Sequence, residues 1–159
     1  MFNPLNIKEG NKLSIDHCLG CRLANNKEKV YLIYETEDLS CILDHDPYNT
    51  GHVIILPKQH IEEGVEFTEE MSISVMRASQ ILSKTLNALY KPDGITICQN
   101  GGVFSELTHY HMHVVPRYIG QNFADFYQEG EALQEPDEPF EVTTEKMKSY
   151  IESLTAKEY

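Results

Sequence analysis

The chain has 159 residues, 41% of them hydrophobic and 24% charged, the composition of a soluble globular protein long enough to bury a real core. Its formal net charge of −12 counts against nonspecific nucleic-acid binding, which is driven by neutralising phosphates. No apolar run approaches the ~20 residues of a membrane span, and the start MFNPLNIKEG lacks the basic-then-apolar plan of a signal peptide. A cytoplasmic location is expected, where four cysteines serve as thiols or metal ligands and not as a disulfide framework.

Residues 1–16 are mixed and polar. His17-Cys18-Leu19-Gly20-Cys21 follows, a C-x-x-C that suits a zinc site, a redox motif or two unpaired thiols in a short turn. A redox motif wants a buried strand just ahead of it, and LSIDH is a poor one; zinc needs two more ligands from distant sequence. Residues 30–34 and 39–44 read as strands joined through Glu35-Thr36-Glu37-Asp38. The run from Asp44 to Gly51, DHDPYNTG, is turn chemistry. Residues 52–56 (HVIIL) form a third strand closed by Pro57, after which Lys58 is a surface charge and His60 a candidate metal ligand.

Residues 68–90 read as the best helix. Thr68 is a good N-cap, and Glu69 and Glu70 complement the dipole of the first turn. Met71, Val75, Ile81, Leu82, Leu86, Leu89 and Tyr90 make an apolar stripe, explained wholly by core packing, and Pro92 and Gly94 end the helix. Residues 95–99 (ITICQ) are a fourth strand. Asn100-Gly101-Gly102 then opens a loop containing Ser105 and Thr108, which suits either an anion-binding nest of backbone N–H groups or an ordinary flexible hairpin. Residues 118–141 hold seven acids and no Lys or Arg, as a solvated loop or a lid would. Residues 144–156 read as a short helix with Met147, Tyr150, Ile151 and Leu154 on one side. Short connections imply an antiparallel sheet with the long helix on one face, an α+β fold in a single domain spanning 1–159.

The fifth strand, 109–115, is the unusual one. In HYHMHVV, successive side chains alternate between faces, so His109, His111 and His113 share one face while Tyr110, Met112 and Val114 take the other. Three readings fit such a row: a half-buried strand that happens to be His-rich, three metal ligands, or a nucleophilic imidazole with supporting neighbours.

Asp44-x-x-Pro47, the run GHVIILPKQH from Gly51 to His60, and HYHMHVV from His109 to Val115 resemble, in order and spacing, the histidine triad (HIT) family, whose signature is His-φ-His-φ-His-φ-φ with φ apolar. The resemblance runs from about residue 18 to 117. It implies a nucleotide hydrolase or transferase acting at the α-phosphate, with His111 as the nucleophile that forms a nucleotidyl-histidine. It also implies His113 on phosphate oxygens, Asp44 on the ribose hydroxyls, and Asn100 and Ser105 as polar contacts to phosphate and leaving group. Bacterial members that begin with C-x-x-C bind structural zinc, which here implies Cys18, Cys21, His60 and His109, with His17, His45 and His52 as nearby competitors for the fourth position. A homodimer that joins two five-stranded sheets is implied as well. Dinucleoside polyphosphates or nucleoside phosphoramidates are the expected substrates, no nucleic-acid or membrane partner is expected, and Phe123, Phe126 and Tyr127 fall where a lid would reach over the site.

The chain departs from the family pattern in the loop before the triad, which looks about two residues shorter. Phe104-Ser105-Glu106 replaces the usual Gly-Gln-Thr or Gly-Gln-Ser, so Glu106 puts a carboxylate where a small hydroxyl normally helps to bind phosphate. The third histidine is present, which disfavours the uridylyltransferase branch, where glutamine replaces it. A catalytically weak, nucleotide-binding regulatory module and a metalloenzyme that uses all three histidines are the rival readings.

Overall fold

The computed structural model describes residues 17–122, 124 and 136–156. Five strands, β1 (Leu32–Glu35), β2 (Leu39–Leu43), β3 (Val53–Pro57), β4 (Gly94–Cys98) and β5 (Met112–Arg117), form one antiparallel sheet in the order β1-β2-β3-β5-β4. The expected α+β class is the observed one. Gly51 makes the turn into β3: its φ is +89°, and a Cβ there would lie 2.8 Å from Leu86 Cδ2, so only glycine fits without strain.

The long helix α2 (Glu69–Tyr90) starts as expected, with Thr68 Oγ1 accepting from the Met71 N–H at 3.2 Å. It ends on Lys91 in the left-handed conformation, φ 46°, just ahead of Pro92. Its buried face, including Met71, Val75, Ala78, Leu82 and Leu86, packs on Cys41, Leu43, Val53, Ile55 and Val114 of the sheet. Leu82 and Leu86 are fully buried, each contributing about 1.5–3 kcal/mol relative to exposure.

The opposite sheet face carries Ile42, Ile54 and Leu56, covered by Ala24 of the short helix α1 (Leu19–Ala24) and by Leu107. Both β2 and β3 are therefore buried along their whole length. The C-terminal helix α3 (Phe140–Thr155) begins earlier than the expected 144. Phe140 stacks on Tyr31 with ring centroids 5.0 Å apart, and Glu138 accepts from Tyr90 Oη at 2.7 Å and Thr143 Oγ1 at 3.0 Å, so contacts at its first turn extend the helix backward. No described helix is long and apolar enough to cross a membrane.

The fifth strand is the main correction. The expected strand was 109–115, but ladder pairing starts at Met112, and His109, Tyr110 and His111 precede it. Pairing with β3 runs from Val53↔Val114 to Ile55↔Met112 and stops. Continuing it would bring the chain beside Pro57, which has no N–H to give. The Pro57 carbonyl instead accepts from the His109 ring, and the Tyr110 N–H donates to Ile61 O at 2.6 Å. Side-chain alternation survives the lost ladder: Tyr110, Met112 and Val114 belong to the core with α2, whereas the three histidines share the other face.

Candidate functional site

His109 is turned into a cluster with the C-x-x-C. Its Nδ1 lies 3.6 Å from Cys18 Sγ and 3.5 Å from Cys21 Sγ, and His60 Nδ1 lies 3.3 Å from Cys21 Sγ. All four ligand atoms fall within 4.8 Å of one another. A zinc tetrahedron with Zn–S near 2.3 Å and Zn–N near 2.05 Å has S···N edges of about 3.5 Å, so the donor set fits that ion. Cys18 caps α1, its Sγ accepting from the Cys21 N–H at 3.4 Å, and this turn brings both thiols to one side. Gly20 lets the turn close on the ring, since a Cβ there would lie 2.3 Å from His109 Cβ.

The proton positions suit a metal. Pro57 O can only accept, so His109 carries its proton on Nε2, 2.8 Å away, and turns the Nδ1 lone pair toward the thiols. Burial, partly offset by that hydrogen bond, holds the His109 pKa down to about 4, which keeps the ring neutral as a ligand must be. Burial, reinforced by Cys18, pushes the Cys21 thiol up to about 12; a divalent cation is the group that would displace such a proton. Glu62 stands 3.5 Å from His60 Nε2, outside the cluster.

On the same sheet face, His111 and His113 lie with ring centroids 5.0 Å apart. His111 Nδ1 is 3.0 Å from the His109 carbonyl, so Nδ1–H donates and Nε2 of the neutral ring keeps its lone pair. His113 is set the opposite way, through His52. The Tyr48 N–H donates to His52 Nδ1 at 3.1 Å, so neutral His52 has its proton on Nε2. That proton points at His113 Nδ1, 2.9 Å away, which leaves His113 with its proton on Nε2. Burial first, with His111 adding repulsion, holds the His113 pKa down to about 4. Burial and His113 lower that of His52 well below the usual histidine value.

Sequence reading placed His52 only among competitors for zinc; the structure puts it behind His113 and 1% exposed. The one available signal was its polar side chain at the start of an otherwise apolar strand. His45 is exposed near Asp44, and neither His45 nor His17 joins the metal cluster. Asp44 joins the imidazoles, with Oδ2 3.5 Å from His52 Nε2 and 3.7 Å from His113 Nδ1, while Oδ1 accepts from the Asp46 N–H at 3.0 Å. Its pKa is raised, chiefly by burial, against the lowering effects of that hydrogen bond and of His45.

Asn100 is half-buried just past β4. Ser105 turns inward to its own loop, its hydroxyl donating to Leu107 O at 2.6 Å, so donation to another group requires breaking that bond. The chain leaving β5 docks on the turn before β3. Asn49 and Gln121 exchange amide hydrogen bonds at 3.0 and 2.8 Å, and Asn49 Nδ2 also donates to Pro116 O at 2.7 Å. The lid expected from Phe123, Phe126 and Tyr127 lies outside the described residues.

Known proteins resemble the chain at both levels. A hypothetical histidine triad nucleotide-binding protein from Sulfolobus tokodaii superposes with TM-score 0.72 at 26% identity, over 86% of this chain and 93% of that one. A zinc-bound histidine triad family protein from Mycobacterium smegmatis has the same fold, with TM-score 0.72 at 24% identity over 90% of this chain and 99% of that one. In sequence, protein hit of Bacillus subtilis is 30% identical over 105 residues, covering 65% of this chain and 72% of that protein. A HIT-like protein of Methanocaldococcus jannaschii is 32% identical over 107 residues, covering 65% and 81%. With the HIT domain description matching residues 25–120, the three histidines and the sheet that presents them make this chain a member of the histidine triad family.

Proposed function

We propose that the protein is a nucleotidyl hydrolase that cleaves at the α-phosphate and releases AMP, with dinucleoside polyphosphates such as diadenosine tetraphosphate as its substrates. The carrying observation is the opposed tautomers of neighbouring rings: His111 offers a lone pair on Nε2, and His113 offers a proton on Nε2. A lone pair suits attack on phosphorus, and a donor beside it suits the oxygens on which charge develops. His111 Nε2 forms the bond to the α-phosphorus as the bond to the leaving group breaks with its electron pair. Water then displaces the imidazole, returning His111 and releasing AMP. Asp44 accepts from the ribose hydroxyls, and Asn100 and Ser105 contact phosphate and leaving group, Ser105 after turning from Leu107.

Cys18, Cys21, His60 and His109 hold structural zinc in this reading. Zinc there fixes the segment that carries His111, and four protein ligands leave no position for a reacting water. Pairing of two chains continues the sheet at the open edge of β4, where Ile97 is 45% exposed. Nucleoside phosphoramidates are the alternative substrates. A regulatory module that binds AMP without turnover is the second reading, favoured by the Glu106 carboxylate beside the site.

Incubation with diadenosine tetraphosphate and, separately, adenosine 5′-phosphoramidate tests the proposal by ion-exchange analysis of products, beside a His111→Ala control. AMP from the protein and none from the control is the expected result. AMP from neither substrate sinks the hydrolase reading and leaves the binding module.

A further inference from the structure

One group beside the site has no part in the chemistry above: the Glu106 carboxylate. Its position follows from the sheet register. Ile42, Ile54, His113 and Cys98 stand opposite one another across β2, β3, β5 and β4, so they project from one face. Leu107 packs on the cluster that contains Ile42 and Ile54. The Ser105 hydroxyl, bonded to Leu107 O, closes a tight turn whose middle residue is Glu106. Glu106 is thereby held, exposed, at the rim of the face that carries His113, and its charge reaches Asp44.

The surroundings sharpen the consequence. Glu63 Oε1 accepts from the Gly102 N–H at 3.0 Å, which puts a second carboxylate on the same loop. Lys58 is engaged by Glu35 at 2.6 Å, and Arg22 by Glu28 at 2.7 Å. Arg117 lies over the Tyr48 ring, 5.1 Å from its centroid. A phosphate in this site therefore meets His113 as an uncharged donor, with the Glu106 carboxylate at the rim. Such a field repels a bare polyphosphate and attracts a leaving group that brings positive charge.

We propose that Glu106 selects the leaving group by charge, favouring substrates that place a cation beside the scissile bond. Two sources supply that charge: a protonated amine on the leaving group, or a divalent cation carried on a polyphosphate. The inference rests on the nucleotide reading above and deepens it.

Titration calorimetry in a His111→Gln background tests it without turnover. One arm compares two adenosine 5′-phosphoramidates of equal length, one ending in a methyl group and one in an ammonium. The other compares diadenosine tetraphosphate with and without Mg2+, in buffer freed of divalent ions beforehand. The expected preference for the cation-bearing ligand is about fivefold in dissociation constant, the size that exposed ion pairs reach, and it shrinks as salt rises. Adding Glu106→Gln should bring the ratio to about one. A preference in the first arm assigns an ammonium, and one in the second a metal ion. Binding with ratios near one, or ratios that Glu106→Gln leaves unchanged, overturns charge selection and leaves the nucleotide reading standing. Binding of no ligand at all removes both.

Discussion

Replacing His52 by leucine tests the relay behind the active face. The substitution removes the acceptor for the Tyr48 N–H and the donor to His113 Nδ1, now 3.1 and 2.9 Å from their partners. Two hydrogen bonds in a buried setting, with both partner groups left unsatisfied, cost about 2–3 kcal/mol. For a chain of this length that lowers Tm by roughly 6 °C. The functional loss is separate. Without a donor at its Nδ1, His113 is free to move its proton there, and Nε2 then no longer donates to phosphate. Removing one such donor costs about a hundredfold in rate. The His52→Gln variant keeps an N–H near the Nε2 position and should recover most of kcat/KM. Long-range 1H–15N spectra of histidine-labelled protein read the His113 tautomer directly, whether or not the protein turns over a nucleotide. If His52→Leu left both kcat/KM and the His113 tautomer unchanged, the relay would be refuted.

Three further outcomes follow from the same structure. Cys21→Ser should lower bound zinc from about one per chain and lower Tm; a chelator should erode stability first, with activity falling only as the fold fails, as metal analysis and calorimetry would show. His113 has a folded pKa of about 4 against an unfolded value of about 6.5, so the unfolded chain binds more protons between those values. Its contribution is present above about 6.5 and is lost as pH falls toward 4: urea denaturation at pH 7 and pH 5 should differ by about 2 kcal/mol from this residue, and by less in His113→Gln. In the core, Leu82→Ala should cost about 2–5 kcal/mol, against about 1 kcal/mol for Thr68→Ala at the helix N-cap.

Much of this arrangement was legible in the sequence because its causes are local. The α2 stripe, the Thr68 cap and the short, largely apolar runs of β2 and β3 each fix their own element. The C-x-x-C and His60 were legible as metal candidates, but the complete set of two cysteines and two histidines only through family resemblance, since Cys21 and His109 meet across 88 positions of chain. The strand start at Met112 escaped because its cause is the missing N–H of Pro57 on another strand. His52 escaped because its partners, the Tyr48 amide and His113, come together only when the turn at Gly51 folds against β5. Ser105 reads as a phosphate contact from its position, but its nearest acceptor is the Leu107 carbonyl two residues on.

Residues 109–114 act as a reading frame for chemistry. Odd positions face the cluster of Cys18, Cys21 and His60 and the side that holds His52 and Asp44, even positions face the core, and β5 pairing with β3 locks the phase. An insertion or deletion of one residue inside this run would turn Tyr110 and Met112 toward the face that carries His52 and Asp44 and press imidazoles into the apolar interior. Ahead of His109 no such phase exists, because residues 99–108 lie outside the strands. A change of length there would leave the phase of residues 109–114 untouched, because the register of β5 against β3 is set downstream of it.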